Sequence, residues 1–89
     1  LRGVNYATVS ACASSANAIA EAFNYIRYGK EDMVVCGGSE AVVNEAAIGG
    51  FNAMSALSER NDDPKSASRP FDKDRDGFVL GEGAGALIL

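Results

Sequence analysis

The chain has 89 residues, 47% of them hydrophobic, a formal net charge of −4 and no histidine. This length allows at most one small domain with a modest core. The acidic balance and the lack of a Lys/Arg cluster argue against nucleic acid as a partner, and no apolar run approaches the roughly 20 residues of a membrane span. Composition therefore predicts a soluble α/β protein with tight turns. Because the chain lacks an initiator Met and stops inside the apolar run Ala86–Leu89, we expect a piece of a longer protein.

Cys12 lies between two predicted elements. Tyr6–Ser10 is rich in β-branched and aromatic residues and predicts a strand, whereas Ala13–Tyr28 has helical apolar spacing and is followed by Gly29, a helix stop. A thiol at a helix start faces unpaired backbone N–H groups and the positive end of the helix dipole, which favour the thiolate. The sequence therefore predicts either a nucleophilic thiol or an ordinary buried one.

A second strand is predicted directly after this helix. Met33–Cys36 is a continuous apolar run closed by Gly37 and Gly38, as is typical of a strand buried on both faces of a parallel sheet. Strand, helix, turn and strand predict a βαβ unit with a right-handed crossover. Cys36 is interpreted as a packing residue, and the two cysteines as a reduced pair.

The second half of the chain is predicted to hold short elements. In chain order they are a helix at Glu40–Ala47 interrupted at Gly49 and Gly50, a helical fragment at Phe51–Leu57, a polar loop at Ser58–Pro70, and strands at Phe78–Leu80 and Ala86–Leu89.

Two motifs in this half resemble ligand-binding motifs, but each lacks a part that binding requires. Asp72–Asp76, followed by Gly77, has the carboxylate spacing of a calcium loop, but position twelve is Gly83 instead of Glu, so a loop tied by local Asp–Arg and Asp–backbone bonds is favoured. Gly81–Ala86 matches a dinucleotide fingerprint, but no helix follows it in the sequence. With no histidine and no Cys-x-x-Cys pair, no metal site is predicted.

Three stretches, Val9–Ser15, Gly37–Glu40 and above all Ser68–Gly85, resemble the β-ketoacyl-acyl-carrier-protein synthases, the condensing enzymes of fatty-acid and polyketide synthesis. The resemblance covers essentially all of residues 1–89 and is strongest to the bacterial type II enzymes of the synthase II kind. It implies part of an N-terminal domain that carries the nucleophile, in an α/β fold of the thiolase-like α-β-α-β-α layering. It also implies a cytoplasmic enzyme with no metal or redox cofactor.

The resemblance implies a decarboxylative Claisen condensation. Cys12 would take the acyl group from acyl-carrier protein, and malonyl-carrier protein would then lose carbon dioxide and attack the acyl-Cys. Phe51 would line the acyl pocket and Phe78 the wall near the malonyl group, although plain core packing is an equal interpretation for both. A homodimer would form through Tyr6–Ser10. The family's two histidines, lysine and Gly/Phe-rich loop lie outside this chain, so the chain alone is expected to be inactive.

Two alternatives stay open at this point. One is a ketosynthase domain of a polyketide synthase, which the sequence beyond Leu89 would distinguish. The other, from a different functional class, is a binding module that holds calcium at Asp72–Asp76.

Overall fold

A computed structural model describes residues 2–89, in which the chain divides into two units. The first unit contains the chain up to Glu40 together with Gly83–Leu89, and the second contains Ala41–Glu82.

The first unit is built on helix α1, Ser14–Arg27, which directly follows a single 3₁₀ turn at Ala11–Ala13. The helix ends because Gly29 takes a φ of +66°, and its N–H donates to the Ile26 carbonyl at 3.0 Å. The predicted helix and its glycine stop are therefore confirmed, with bounds that differ by one residue at each end.

The sheet of the first unit has two antiparallel strands, β1 (Val35–Glu40) and β2 (Gly83–Ile88), with Val35 opposite Ile88 and Glu40 opposite Gly83. β1 contains Cys36, as predicted, but it starts two residues later than the predicted run. β2, in contrast, starts at Gly83, three residues before the predicted strand Ala86–Leu89. In both cases the strand continues through glycines, because backbone pairing with the neighbouring strand outweighs their low strand propensity.

Helix α1 packs across β1 where the strand has no side chain. A Cβ placed on Gly38 would overlap the hydroxyl of Ser15 and lie 2.8 Å from its Cβ. Glycine at this position therefore brings the first turn of the helix close to the strand.

The predicted strand at Tyr6–Ser10 is not formed by this chain, and the predicted βαβ unit is wrong as a consequence. Instead of pairing with a strand, this segment contacts helix α1. The Tyr6 ring meets the Tyr25 ring edge-on at 6.4 Å, and the Thr8 hydroxyl donates to the Ser14 carbonyl at 2.8 Å. Partial burial, followed by the neighbouring Tyr25 hydroxyl, raises the pKa of Tyr6.

The second unit has one α-helix, α2, at Glu45–Ala53. The predicted helices at Glu40–Ala47 and Phe51–Leu57 are wrong, because one helix runs through both glycines between them. Asn44 explains its start: its side chain accepts a hydrogen bond from the Ala47 N–H at 3.0 Å and caps the helix. Each glycine inside a helix costs about 1 kcal/mol relative to alanine, and the Asn44 cap offsets part of this cost.

The remaining part of the second unit is irregular. The predicted polar loop contains a 3₁₀ turn at Pro64–Ser66. The predicted strand Phe78–Leu80 is reduced to one parallel bridge between Leu57 and Phe78. Gly77, just before this bridge, approaches the backbone of the partner segment closely: a Cβ there would lie 2.5 Å from the Ser58 nitrogen.

Few side chains are fully buried among the described residues. Ala22 and Ala67 are the buried apolar residues, whereas Val9 is 90% and Phe71 is 100% exposed. No helix within residues 2–89 is both long and apolar enough to cross a membrane. Helix on sheet in the first unit agrees with the predicted α/β class.

Candidate active site

Cys12 occupies the middle of the 3₁₀ turn that joins the extended segment to helix α1, and its side chain is exposed. The preceding residue, Ala11, takes a φ of +50°, a left-handed conformation that a residue with a Cβ rarely adopts. The chain therefore turns sharply just before the thiol. The predicted position of Cys12 at a helix start is confirmed.

Short polar side chains hold this turn, which we call the Cys12 elbow (residues 8–17). The Ser14 hydroxyl accepts a hydrogen bond from the Ser10 N–H at 2.9 Å and donates one to the Ala11 carbonyl at 2.8 Å. The Asn17 amide in turn donates to the Ser10 hydroxyl at 2.5 Å, and Thr8 donates to the Ser14 carbonyl. Local hydrogen bonds thus fix the backbone on both sides of the thiol.

The Cys12 N–H makes no hydrogen bond to another residue within 2–89, as is usual in the first turn of a helix. It lies at a groove of about 560 Å³, which Cys12 lines together with Ile19 of α1, Ser39 and Glu40 of β1, and the glycines of both strands. An exposed thiol can attack a carbonyl as its thiolate, and a free backbone N–H beside it can donate a hydrogen bond to the oxyanion that forms.

Cys36 differs from Cys12 in its surroundings. Its thiol is also free but half-buried within β1, where it lines a groove of about 810 Å³. The interpretation of Cys36 as a packing residue stays a prediction.

The two predicted substrate-binding phenylalanines lie together in the second unit. The rings of Phe51 and Phe78 meet edge-on with centroids 5.2 Å apart and an interplanar angle of 83°. Phe78 is held by two backbone bonds of 3.0 Å, from Ser58 N–H to its carbonyl and from its own N–H to the Ala56 carbonyl. The structure therefore brings Phe51 and Phe78 into one cluster, whereas Cys12 belongs to the first unit.

A second set of polar contacts lies just before Phe78, and we call it the Asp76 clasp. The Asp76 carboxylate accepts from the Ser58 hydroxyl at 2.6 Å and from the Glu59 N–H at 3.1 Å, and Arg60 donates to the Asp74 carbonyl at 3.2 Å. The hydrogen bond from Ser58 is the main cause that lowers the pKa of Asp76. Sequence reasoning missed the clasp, because Ser58 and Asp76 stand far apart and form no recognisable spacing.

The Asp72–Asp76 loop itself is tied by local bonds, as predicted. Asp72 accepts from the Asp74 N–H and, through its carbonyl, from the Arg75 guanidinium, both at 2.8 Å. Within residues 2–89, no three His, Cys, Asp or Glu side chains are grouped as metal ligands. Of the glycines in the fingerprint-like motif, Gly81 precedes strand β2, whereas Gly83 and Gly85 lie within it.

The family model described as "Beta-ketoacyl synthase, N-terminal domain" matches residues 1–89. The chain is 54% identical over 88 residues to the 3-oxoacyl-(acyl-carrier-protein) synthase 2 of Synechocystis, covering 99% of this chain and 21% of the relative. It is 51% identical over 89 residues to the synthase of the same name from Vibrio cholerae, covering all of this chain and 22% of the relative.

The crystal structure of a β-ketoacyl synthase from Burkholderia phymatum matches 91% of this chain and 20% of its own, with 44% identity and a TM-score of 0.84. The predicted fold class, a fragment of the thiolase-like fold, is confirmed by this likeness. The chain spans about a fifth of the length of the curated relatives that it matches. With its full length matched by the family model and more than half of its residues identical to these relatives, the chain belongs to the β-ketoacyl synthase family.

Proposed function

We propose that this chain is the nucleophile-bearing portion of a β-ketoacyl synthase, whose parent protein condenses an acyl thioester with malonyl-acyl-carrier protein in fatty-acid elongation. The observation that carries the proposal is the exposed Cys12 thiol at the elbow before helix α1, beside its own free N–H. The relatives named 3-oxoacyl-(acyl-carrier-protein) synthase support the reaction and acyl-carrier protein as the partner.

In the first half-reaction, the Cys12 thiolate attacks the carbonyl carbon of the acyl thioester and forms a new C–S bond. The electron pair of the carbonyl moves to oxygen, and the Cys12 N–H donates to this oxyanion. Collapse of the intermediate expels the carrier-protein thiolate, which takes up a proton. The acyl group is then held on Cys12 as a thioester.

In the second half-reaction, malonyl-carrier protein loses carbon dioxide, and the carbanion left behind attacks the acyl-Cys12 carbonyl. The C–S bond breaks, Cys12 leaves as a thiolate, and the product is two carbons longer. The family resemblance assigns the decarboxylation to two histidines and a lysine outside these 89 residues. We therefore propose that the chain by itself is inactive.

Phe51 and Phe78 are proposed to line the acyl pocket and the wall near the malonyl group, respectively. Their edge-on contact in the second unit gives a rigid apolar surface of the kind that an acyl chain requires. Phe51 is half-buried and Phe78 is 44% exposed, so both rings keep surface available for a ligand.

Acyl-carrier protein, in acyl and malonyl forms, is the proposed partner, and a homodimer through Tyr6–Ser10 remains a proposal. The cytoplasm is the proposed location; a relative from Arabidopsis thaliana that is 54% identical over 89 residues is named as chloroplastic, so location varies within the family. A polyketide ketosynthase stays the alternative, and the names of the relatives above favour fatty-acid synthesis.

Cys12→Ala in the full-length protein tests the proposal. Acyl-enzyme formed from acyl-carrier protein is measured by intact-mass spectrometry, and Cys36→Ala is the matched control. We expect no acyl adduct on the Cys12 variant and a normal adduct on the control. An adduct that persists without Cys12 would disprove the assignment of the nucleophile.

A further inference from the structure

We propose that Ser14 is a positioning residue for Cys12: its hydroxyl bridges the two backbone groups that set the elbow and so fixes the direction of the thiol. This inference rests on the proposed role of Cys12 as the nucleophile. It concerns a residue to which the family resemblance assigns no role.

The bridge joins both residues that precede Cys12. The Ser14 oxygen accepts from the Ser10 N–H at 2.9 Å and donates to the Ala11 carbonyl at 2.8 Å. A single atom must accept and donate at once in this place, which a hydroxyl can do and a methyl group cannot. Serine or threonine therefore satisfies the position, and alanine does not.

The bridged backbone is the strained part of the elbow. Ala11 has a φ of +50°, and such a conformation persists only where the surroundings hold it. The Ala11 carbonyl, which Ser14 holds, belongs to the peptide group that supplies the Cys12 N–H. Loss of the bridge would therefore free both the thiol and the proposed oxyanion donor to rotate.

Two further side chains brace the bridge from outside. Thr8 donates to the Ser14 carbonyl at 2.8 Å, and Asn17 donates to the Ser10 hydroxyl at 2.5 Å. Every member of this network is neutral, so its effect on Cys12 is geometric. Ser10 and Ala11 are exposed, so water can satisfy their freed groups in a Ser14 variant, and the fold is expected to survive.

Ser15 offers a matched control on the next residue of the same helix. Its side chain is exposed and makes no hydrogen bond to another residue within 2–89. Ser14→Ala and Ser15→Ala thus delete the same atom from neighbouring positions, one inside the bridge and one outside it.

The test measures acylation of Cys12 by acyl-carrier protein in single turnovers of the full-length protein. For Ser14→Ala we expect an acylation rate constant lowered about tenfold, equivalent to about 1.4 kcal/mol, at an unchanged half-saturating substrate concentration. Ser14→Thr retains the hydroxyl and is expected to recover the rate to within about twofold, as is Ser15→Ala. Melting temperatures close to wild type would show that the fold is intact.

Wild-type acylation in Ser14→Ala, or an equal loss in Ser14→Ala and Ser14→Thr, would overturn the inference. If Ser14→Ala is not recovered folded, Asn17→Ala serves instead; a rate lowered about threefold supports the bridge, and an unchanged rate overturns it. Acylation that survives in Cys12→Ala contradicts the proposed function itself. Acylation lost there but normal in Ser14→Ala contradicts only the role of Ser14.

Discussion

The Cys12 elbow and the Asp76 clasp both use small polar side chains to hold backbone, but they draw their partners from different distances along the chain. The elbow bonds join residues three to seven positions apart. The clasp bonds of Asp76 join residues 17 and 18 positions apart. The elbow is therefore encoded within one short segment, whereas the clasp exists only when two distant segments have met.

This difference predicts how each region responds to damage. Local hydrogen bonds can re-form whenever helix α1 forms, but long-range bonds disappear together when the second unit opens. The experiments that follow test the two units separately, in order of decreasing expected effect.

Gly77→Ala should cause the largest loss of stability, because the added Cβ would overlap backbone atoms between the Asp76 clasp and the Leu57–Phe78 bridge. A Cβ there would lie 2.5 Å from the Ser58 nitrogen and 2.7 Å from the Ala56 carbonyl oxygen, at a φ of +150°. We expect the free energy of unfolding of the full-length protein to fall by about 3 kcal/mol, measured by urea denaturation.

Gly81→Ala is the control for this substitution, since a Cβ there meets nothing within 4 Å among the described residues. It should change the free energy by less than about 0.5 kcal/mol. Equal effects of the two alanines would mean that the close approach at Gly77 does not constrain the fold.

Gly38→Ala should produce a smaller loss in the first unit, because the added methyl group meets a side chain instead of backbone. Overpacking against Ser15 is expected to cost about 2 kcal/mol in urea denaturation, and Gly85→Ala, with open space around its Cβ, should cost less than half as much. Adding Ser15→Gly to Gly38→Ala should recover part of the loss. If it recovers none, the contact between α1 and β1 is not where the strain arises.

Cys12 should be alkylated by iodoacetamide at least about tenfold faster than Cys36 in the folded full-length protein, a difference of about 1.4 kcal/mol in activation free energy. The reason is that Cys12 is exposed at a helix start, whereas Cys36 is half-buried in a strand. Peptide mass spectrometry over a time course measures both rates in one sample, and denatured protein provides the control in which they converge. Equal rates in the folded protein would remove the basis for an activated thiol.

Acidification should weaken the clasp with the smallest effect of the four, because Asp76 is exposed. Its folded-state pKa is lowered, mainly by the Ser58 hydrogen bond, so its contribution to stability is present above roughly pH 4 and is lost as the pH falls through the folded pKa. Asp76→Asn should lower the melting temperature at pH 7 and lower it by less at pH 3.

Asp62→Asn is the matched control for the acidification series, since the Asp62 side chain makes no hydrogen bond within residues 2–89. Its melting temperature should follow that of the wild type at both pH values. A gap between wild type and Asp76→Asn that stays constant with pH would contradict ionisation of Asp76 as the cause.

Sequence reasoning succeeded where the controlling contacts are local. Helix α1, its stop at Gly29 and the placement of Cys12 all depend on residues within a few positions of one another, and these predictions are confirmed. The single helix through Gly49 and Gly50 is an exception: its start depends on the local Asn44 cap, but the two glycines predict an interruption. The Tyr6–Ser10 strand was wrong because β-propensity does not provide a pairing partner.

The pairing of Phe51 with Phe78 could not be predicted as a contact, since it depends on the clasp and on the close approach at Gly77. The resemblance named both residues for a role in the substrate pocket without placing them next to each other. Their roles, and that of Cys12, remain predictions for the experiments above.

The register of the sheet has a consequence for the order of events during synthesis. Glu40 is paired with Gly83, so the whole second unit is inserted between two neighbouring positions of one ladder. Strand β1 is synthesised before residues 41–82 and β2, so this ladder cannot form until β2 has left the ribosome. Closing a loop of that length costs entropy, which the pairing of the two strands must offset. Because residues 41–82 begin and end beside the last pair of this ladder, a tight hairpin turn could replace them in the connection between β1 and β2.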